Sequence, residues 1–252
     1  MRFFIDVSDK RNLVVKKLLN DNKYITKVYD ESFKDYRDGD ILIFSPAKKF
    51  MESDVDILPE SVTIFAGNSL KQFSEQLKNK KIRYVDIMND EIFTIKNANL
   101  TAEGVLGIII NKSEKSLFEN KVLLLGSGRI TKACAKIFSK LGVKFAIVSY
   151  SFLDYQRSYS FSDKCYYKEE YINDLNKYDI VVNTRPFKYI DDMVLNKFAK
   201  NCLFIETASV ECLNKEMVKD FDYCLAPALP TKFTAETAGK FLYERIMGEL
   251  NV

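Results

Sequence analysis

A short apolar run, residues 121–125, is broken by Gly126-Ser127-Gly128 and followed over 132–141 by a helical pattern with Ala133, Ile137 and Leu141 on one face. A buried strand, a tight glycine turn and a helix in immediate succession is the first unit of a dinucleotide-binding fold. Gly126 permits the turn, Gly128 lets the backbone approach a pyrophosphate, and the first amides of the helix face the phosphate charge. Ser127, Arg129 and Ile130 complete the expected cradle. The full fingerprint has a third glycine, which serves close helix–strand packing, and here that position is Thr131; the threonine predicts a wider fit or a shifted helix. Two glycines also suit a plain tight turn between strand and helix, so that reading stands beside the nucleotide one.

The 252 residues allow one large domain or two of ordinary size, and 47% hydrophobic content is enough for a real core. A net charge of +3 argues for neither a nucleic-acid nor a membrane surface, which would need a clustered basic face. The five cysteines are odd in number, far apart and without a C-x-x-C, so no metal site and no disulfide framework is expected. The chain opens on an apolar run that already contains Asp6, unlike a signal peptide, and no run approaches the ~20 residues that span a bilayer. A cytoplasmic protein is expected. Histidine is absent. That removes Ser-His-Asp and Cys-His systems, histidine zinc sites, and the histidine acid–base common among hydroxyacid dehydrogenases. Proton transfer falls to Glu, Asp, Lys, Tyr, Cys or water.

Strands are expected over 2–7, 24–29, 40–46, 61–67 and 81–87, with helices over 12–20 and 69–78, which indicates a parallel α/β layer. No glycine follows the first strand. Residues 1–98 therefore read as a flavodoxin-like lobe for substrate or partner, or as scaffold alone. The polar stretch 89–101 contains the expected boundary, leaving 99–252 as a Rossmann-type NAD(P)-binding domain with inter-lobe helices. Thr101 is the expected N-cap of a helix over 102–111, apolar enough to be buried between the lobes. Glu103 would lie in its first turn, either favouring the helix dipole or acting at the cleft.

Beyond the glycine loop, the strand over 143–149 ends in Ser149-Tyr150-Ser151, where an acid would bind the ribose hydroxyls of NAD or Arg and Ser would accept a 2′-phosphate. There is no acid. Ser149 and Ser151 suit a phosphate, and Arg157 would have to fold back to assist, so the leaning is towards NADP over NAD. Strand 177–186 ends in Asn183-Thr184-Arg185-Pro186, a tip expected at the ligand crevice. Asn183 or Thr184 would approach the nicotinamide, and Arg185 would meet a carboxylate or phosphate or stay solvated. Glu206, Thr207, Ala208 and Ser209 are expected on the same rim, with Pro227 closing the last strand. The helix over 234–246 begins with small residues. Ala238 and Gly239 either approach a ligand or permit close helix packing.

Several pieces together resemble one family, the A chain of dipicolinate synthase. They are 97–104 (Asn-Ala-Asn-Leu-Thr-Ala-Glu-Gly), 122–129 (Val-Leu-Leu-Leu-Gly-Ser-Gly-Arg), 179–186 (Asp-Ile-Val-Val-Asn-Thr-Arg-Pro), and 225–230 (Leu-Ala-Pro-Ala-Leu-Pro) paired with 237–240 (Thr-Ala-Gly-Lys). The resemblance runs from about residue 82 to the C-terminus, and its last pair is the most specific.

It implies NADP-linked oxidation of a hydroxylated tetrahydrodipicolinate to dipicolinate in sporulation, working with a second, flavoprotein-like B chain; a homo-oligomer is compatible with it. Arg185 as a bidentate carboxylate anchor would suit such a dianion, with Glu103 and Glu206 as further catalytic candidates. The chain departs from the family pattern at Thr131, at the arginine missing near Tyr150, at Ala228 and Thr231 where the family has glycine, at Glu236 where it has lysine, and over 208–213. These departures keep a second reading open: a non-catalytic nucleotide-sensing or partner-binding protein on the same fold. A different NAD(P)-dependent dehydrogenase is the third.

Overall fold

The computed structural model describes residues 1–32, 35–187, 190–208, 210–213 and 222–251. Its strands are β1 (Arg2–Ile5), β2 (Ile25–Val28), β3 (Ile41–Ile43), β4 (Thr63–Ala66), β5 (Arg83–Asp86), β6 (Lys121–Leu125), β7 (Lys144–Ser149), β8 (Cys165–Tyr167), β9 (Ile180–Asn183), β10 (Leu203–Glu206) and β11 (Asp222–Leu225). The helices are α1 (Lys10–Asp21), α2 (Glu52–Asp56), α3 (Ser74–Asn79), α4 (Glu91–Lys112), α5 (Arg129–Leu141), α6 (Phe152–Ser158), α7 (Asp192–Leu195), α8 (Leu229–Phe233) and α9 (Ala235–Leu250). Two compact units result: Met1–Asn97 with Pro230–Val252, and Ala98–Leu229. Among the described residues no helix is long and apolar enough to cross a membrane.

The first unit holds a parallel sheet in the order β2-β1-β3-β4-β5, which is the flavodoxin-like order. Successive side chains of a strand point to opposite faces, so the apolar runs supply both. Phe3, Ile5, Ile41, Ile43 and Phe65 pack on one side with Val15 and Leu19 of α1 and with Leu242, Ile246 and Met247 of α9. Phe4, Leu42, Phe44 and Ile64 face the other way, against Val55, Leu70 and Leu77.

The second unit is a six-stranded parallel sheet ordered β11-β10-β9-β6-β7-β8. Renumbered within the unit this is 3-2-1-4-5-6 read from its other edge, the Rossmann order, with its switch point between β6 and β9. Val122, Leu124, Ile147, Ile180, Val182 and Ile205 meet α5 and the second half of α4. Leu123, Leu125, Val148, Val181 and Phe204 cover the other face, against Tyr171 and Leu175.

Two expectations change here. The boundary expected within 89–101 falls between Asn97 and Ala98, but no helix begins after it, because α4 runs unbroken for 22 residues across it. Its cap is Asp90, whose Oδ1 accepts the Phe93 amide at 2.5 Å. The stretch contains no proline, and the apolar second half supplies the burial that its Asn and Thr residues do not: Ala102, Val105, Ile108 and Ile109 enter the core of the second unit. Thr101 is therefore mid-helix and buried, and Glu103 lies exposed in the helix interior rather than in a first turn. The second change concerns 230–252, which packs with the N-terminal unit instead of completing the Rossmann domain. The cause is Gly239: a Cβ there would stand 2.5 Å from Val14 Cβ and 2.8 Å from the Arg11 carbonyl, so only glycine lets α9 lie this close to α1. Ala238 and Gly239 serve helix packing.

Candidate functional site

The glycine loop is built as its two glycines require. Gly126 has φ +117°, a left-handed conformation that disfavours other residues, and a Cβ on it would fall 2.4 Å from Thr184 Oγ1. Its amide donates to the Val148 carbonyl at 3.0 Å, which ties the turn to β7. Gly128 is the N-cap of α5 in extended conformation, and a Cβ there would meet none of the described atoms within 4 Å. With no side chain at the cap, the first amides of α5 face outward from an open rim. Ser127 and Ile130 are half-buried and Arg129 exposed along it.

Thr131 is accommodated by a hydrogen-bond chain. It is 1% exposed, and its Oγ1 stands 3.0 Å from Thr184 Oγ1. The Thr184 hydroxyl donates to the Leu125 carbonyl at 3.0 Å, so Thr131 is the donor to Thr184. The threonine thus pins the helix start to the β9 tip.

Most polar groups predicted at the strand tips turn out to hold the tips together. Glu206 is fully buried; Asn183 Nδ2 donates to both its oxygens (2.8 and 3.1 Å), and the amides of Ala208 and Cys212 donate at 3.1 and 3.0 Å. It anchors the loop after β10, which corrects its reading as a catalytic group. Burial and the neighbouring Glu206 charge push the Cys212 thiol far up. Asn183 also bonds the Arg185 backbone in both directions at 3.0 Å, and Thr207 Oγ1 donates to the Asn183 carbonyl at 2.7 Å. Asn183, Thr184 and Thr207 therefore shape the tip. Ser209 lies outside the described residues.

The β7 tip corrects a further expectation. The Ser149 hydroxyl is buried and lies 2.9 Å from Ser158 Oγ, which itself donates to the Asp154 carbonyl at 2.8 Å. Ser151 Oγ accepts the Asp154 amide at 3.1 Å as the cap of α6. The Ser149 hydroxyl is spent on Ser158, whereas the exposed Ser151 hydroxyl only accepts at the cap and keeps its own O–H to donate. Arg157 does not fold back; it lies exposed, 3.8 Å from Asp154.

Arg185 reaches this tip instead. Its guanidinium carbon lies 3.4 Å from the centroid of the Tyr150 ring and 5.4 Å from that of Phe187. Burial raises the Tyr150 phenol above its usual range, against the opposing Tyr171 hydroxyl 3.4 Å away and the Arg185 charge. Burial likewise pushes the Tyr171 phenol up, so both stay protonated at neutral pH. Arg185, Tyr150 and Tyr171 line a cavity of about 600 Å³ with Glu169, Ile172, Asp191, Met193, Val194 and Lys197. Sequence reasoning missed these last six, because they come from the 3₁₀ helix after β8 and from the short α7 and its flanks after β9, segments too short to carry a clear helical period. Pro186, Pro227 and the half-buried Ala208 complete the predicted rim, the two prolines exposed. Glu103 is exposed on α4.

The arrangement fits a dinucleotide. Open backbone at Gly128 meets the helix N-terminus beside the switch point, where anions are favoured. The cavity then lies on the β7 side, where a Rossmann unit reads the ribose.

No family model matches the chain. The A chain of dipicolinate synthase from Bacillus subtilis (strain 168) is 26% identical over 212 residues, covering 79% of this chain and 69% of the relative. This protein resembles the dipicolinate synthase A chain. The crystal structure of that A chain from Bacillus halodurans superposes with a TM-score of 0.87 at 18% identity, covering 100% of this chain and 98% of the other. An NAD-dependent formate dehydrogenase from Staphylococcus aureus, solved in complex with NAD, gives a TM-score of 0.62 at 13% identity, over 100% and 95%. The fold common to the dipicolinate synthase A chain and such dehydrogenases is the one described above.

Proposed function

We propose that this chain is an NADP(H)-linked oxidoreductase of the dipicolinate synthase A type. Its substrate would be a cyclic hydroxytetrahydrodipicolinate-like dicarboxylate, converted to dipicolinate by a two-electron oxidation and loss of its hydroxyl as water, with the help of a second, flavoprotein-like chain. The observation that carries this reading is the Gly126–Gly128 cradle opening α5 at the Rossmann switch point, in a chain 26% identical to the A chain of dipicolinate synthase. When bound, the nicotinamide accepts a hydride. The protein's part is to hold the pyrophosphate on the amides of Gly128, Arg129 and Ile130, and to keep the loop rigid through Thr131–Thr184–Leu125. The Glu206–Asn183 pair fixes the β9 and β10 tips beside it. With both residues engaged there, the proton released on oxidation is assigned to another carboxylate, lysine or water.

Titrating the chain with NADPH, followed by nicotinamide fluorescence, tests the reading. Gly128→Asp should weaken binding at least tenfold, because a carboxylate would face the pyrophosphate. Unchanged affinity would reduce the glycine loop to a structural turn.

A second reading is a nucleotide sensor without chemistry, and the burial of Glu206 favours it, since that rim carboxylate cannot reach a substrate. Saturable NADPH binding with no turnover, with or without the second chain, would establish it.

A further inference from the structure

The tip of β7 normally distinguishes the two nicotinamide dinucleotides, through an acid for the 2′-hydroxyl or a cation for the 2′-phosphate. Here it offers neither: Ser149 is bound to Ser158, Ser151 caps α6 with only its O–H left to donate, and Tyr150 presents a ring. The cation arrives from the next tip but one. Arg185 leaves β9 and lies on Tyr150 at 3.4 Å, so stacking fixes a guanidinium where the β7 tip lacks one. Stacking occupies the face of a guanidinium, while its N–H donors lie in the plane, in the fork that matches phosphate oxygens.

The surrounding cavity suits the rest of an adenosine. Its volume of about 600 Å³ lies in the range of ligand pockets, and Ile172, Val194 and Tyr171 give apolar wall for a purine. Lys197 adds a second cation. Two carboxylates also line it: Glu169, and Asp191, whose Oδ1 accepts the Val194 amide at 2.9 Å. They offset the two cations, so the cavity is no general anion trap. A ligand must supply both a flat apolar ring and a dianionic group to gain from it.

We propose that Arg185, held over the Tyr150 ring, reads the 2′-phosphate of NADP(H) together with Lys197, with the adenine against Ile172 and Val194. This rests on the nicotinamide-nucleotide reading and adds the residues that set its specificity. The selecting cation is displaced from the strand that usually carries it to the tip of β9.

The test is equilibrium titration of the intact chain and of Arg185→Ala, Arg185→Lys and Lys197→Ala with NADPH, NADH, 2′,5′-ADP and 5′-AMP. Thermal melts of each variant confirm folding. The chain should prefer NADPH to NADH and 2′,5′-ADP to 5′-AMP. Arg185→Ala should lower affinity for the two 2′-phosphorylated ligands about 10- to 100-fold, the worth of a charged hydrogen-bonded pair, and leave NADH within about twofold. Arg185→Lys, which keeps the charge but loses the fork, should fall between. Lys197 is exposed, so Lys197→Ala should fold whatever Arg185→Ala does, and it should lower NADPH affinity several-fold with NADH unchanged. Equal losses for NADPH and NADH, or no loss at either position, would overturn the assignment while leaving the cofactor reading intact. Failure of the unaltered chain to bind either dinucleotide would instead remove the cofactor reading, and this inference with it.

Discussion

Ala228 has φ +54°, in the left-handed region where a Cβ costs about 1–2 kcal/mol, and it stands where the related family has glycine. Ala228→Gly should therefore stabilise the chain by about 0.5–1 kcal/mol in urea unfolding, the glycine's own entropy cost offsetting part of the gain. Glu206→Gln tests the opposite case. The amide's NH2 would face donors from Asn183, Ala208 or Cys212, and one buried group would lose its partner, at a cost of about 1–3 kcal/mol. A catalytic carboxylate would lose activity with stability unchanged; a loop anchor should lose stability first. At this scale Gly126 and Gly128 were legible because their demands are local: a left-handed φ in one case, an open cap in the other. Glu206, Ser149 and Asn183 were not. They are polar residues at strand ends, and only their neighbours across the sheet decide whether their polar atoms face a ligand or one another.

Elements show the same division. Strands β1 to β7 and β9 fall within the expected runs, since parallel strands are written as short stretches rich in apolar residues. The break expected at Thr101 does not exist. A Thr before an apolar run looks like a cap, yet the true cap, Asp90, lies eleven residues earlier in the same polar stretch. The packing of α1 on α9 can be tested with two glycines of one helix. Gly239→Ala places a methyl against Val14 and the Arg11 carbonyl and should destabilise by about 1–3 kcal/mol. Gly248→Ala meets none of the described atoms within 4 Å and should stabilise by about 0.8–1 kcal/mol through helix propensity. Thermal melts of the two variants should move in opposite directions.

For the whole molecule, the return of the C-terminal segment to the first unit matters most. Leu242, Ile246 and Met247 are buried there, each worth about 1.5–3 kcal/mol, against a total stability of about 5–15 kcal/mol for an ordinary domain. A chain ending at Leu229 should consequently lose hydrogen-exchange protection across β1–β5, while the sheet of the second unit stays protected. The first unit should also respond to acid through Asp9. Burial pushes that carboxyl up, but hydrogen bonds and charge from Arg11, with the Ser45 hydroxyl, bring it net below its ordinary value of 3.8. The unfolded chain then takes up the proton first as pH falls. The contribution of Asp9 is complete above 3.8 and is lost as pH drops through its lowered folded value. Asp9→Asn should flatten that slope and cost about 3–5 kcal/mol at neutral pH by leaving Arg11 buried without its partner. The apolar strand runs, the Rossmann loop and the absence of histidine were readable from the residues alone, because periodicity, glycine φ and residue inventory act over short spans. The sheet order that brings Arg185 to Tyr150, the burial of Glu206, and the contact of Thr231 with Asp9, 222 positions apart, were settled by folding, since which distant segments become neighbours depends on packing that leaves no local trace.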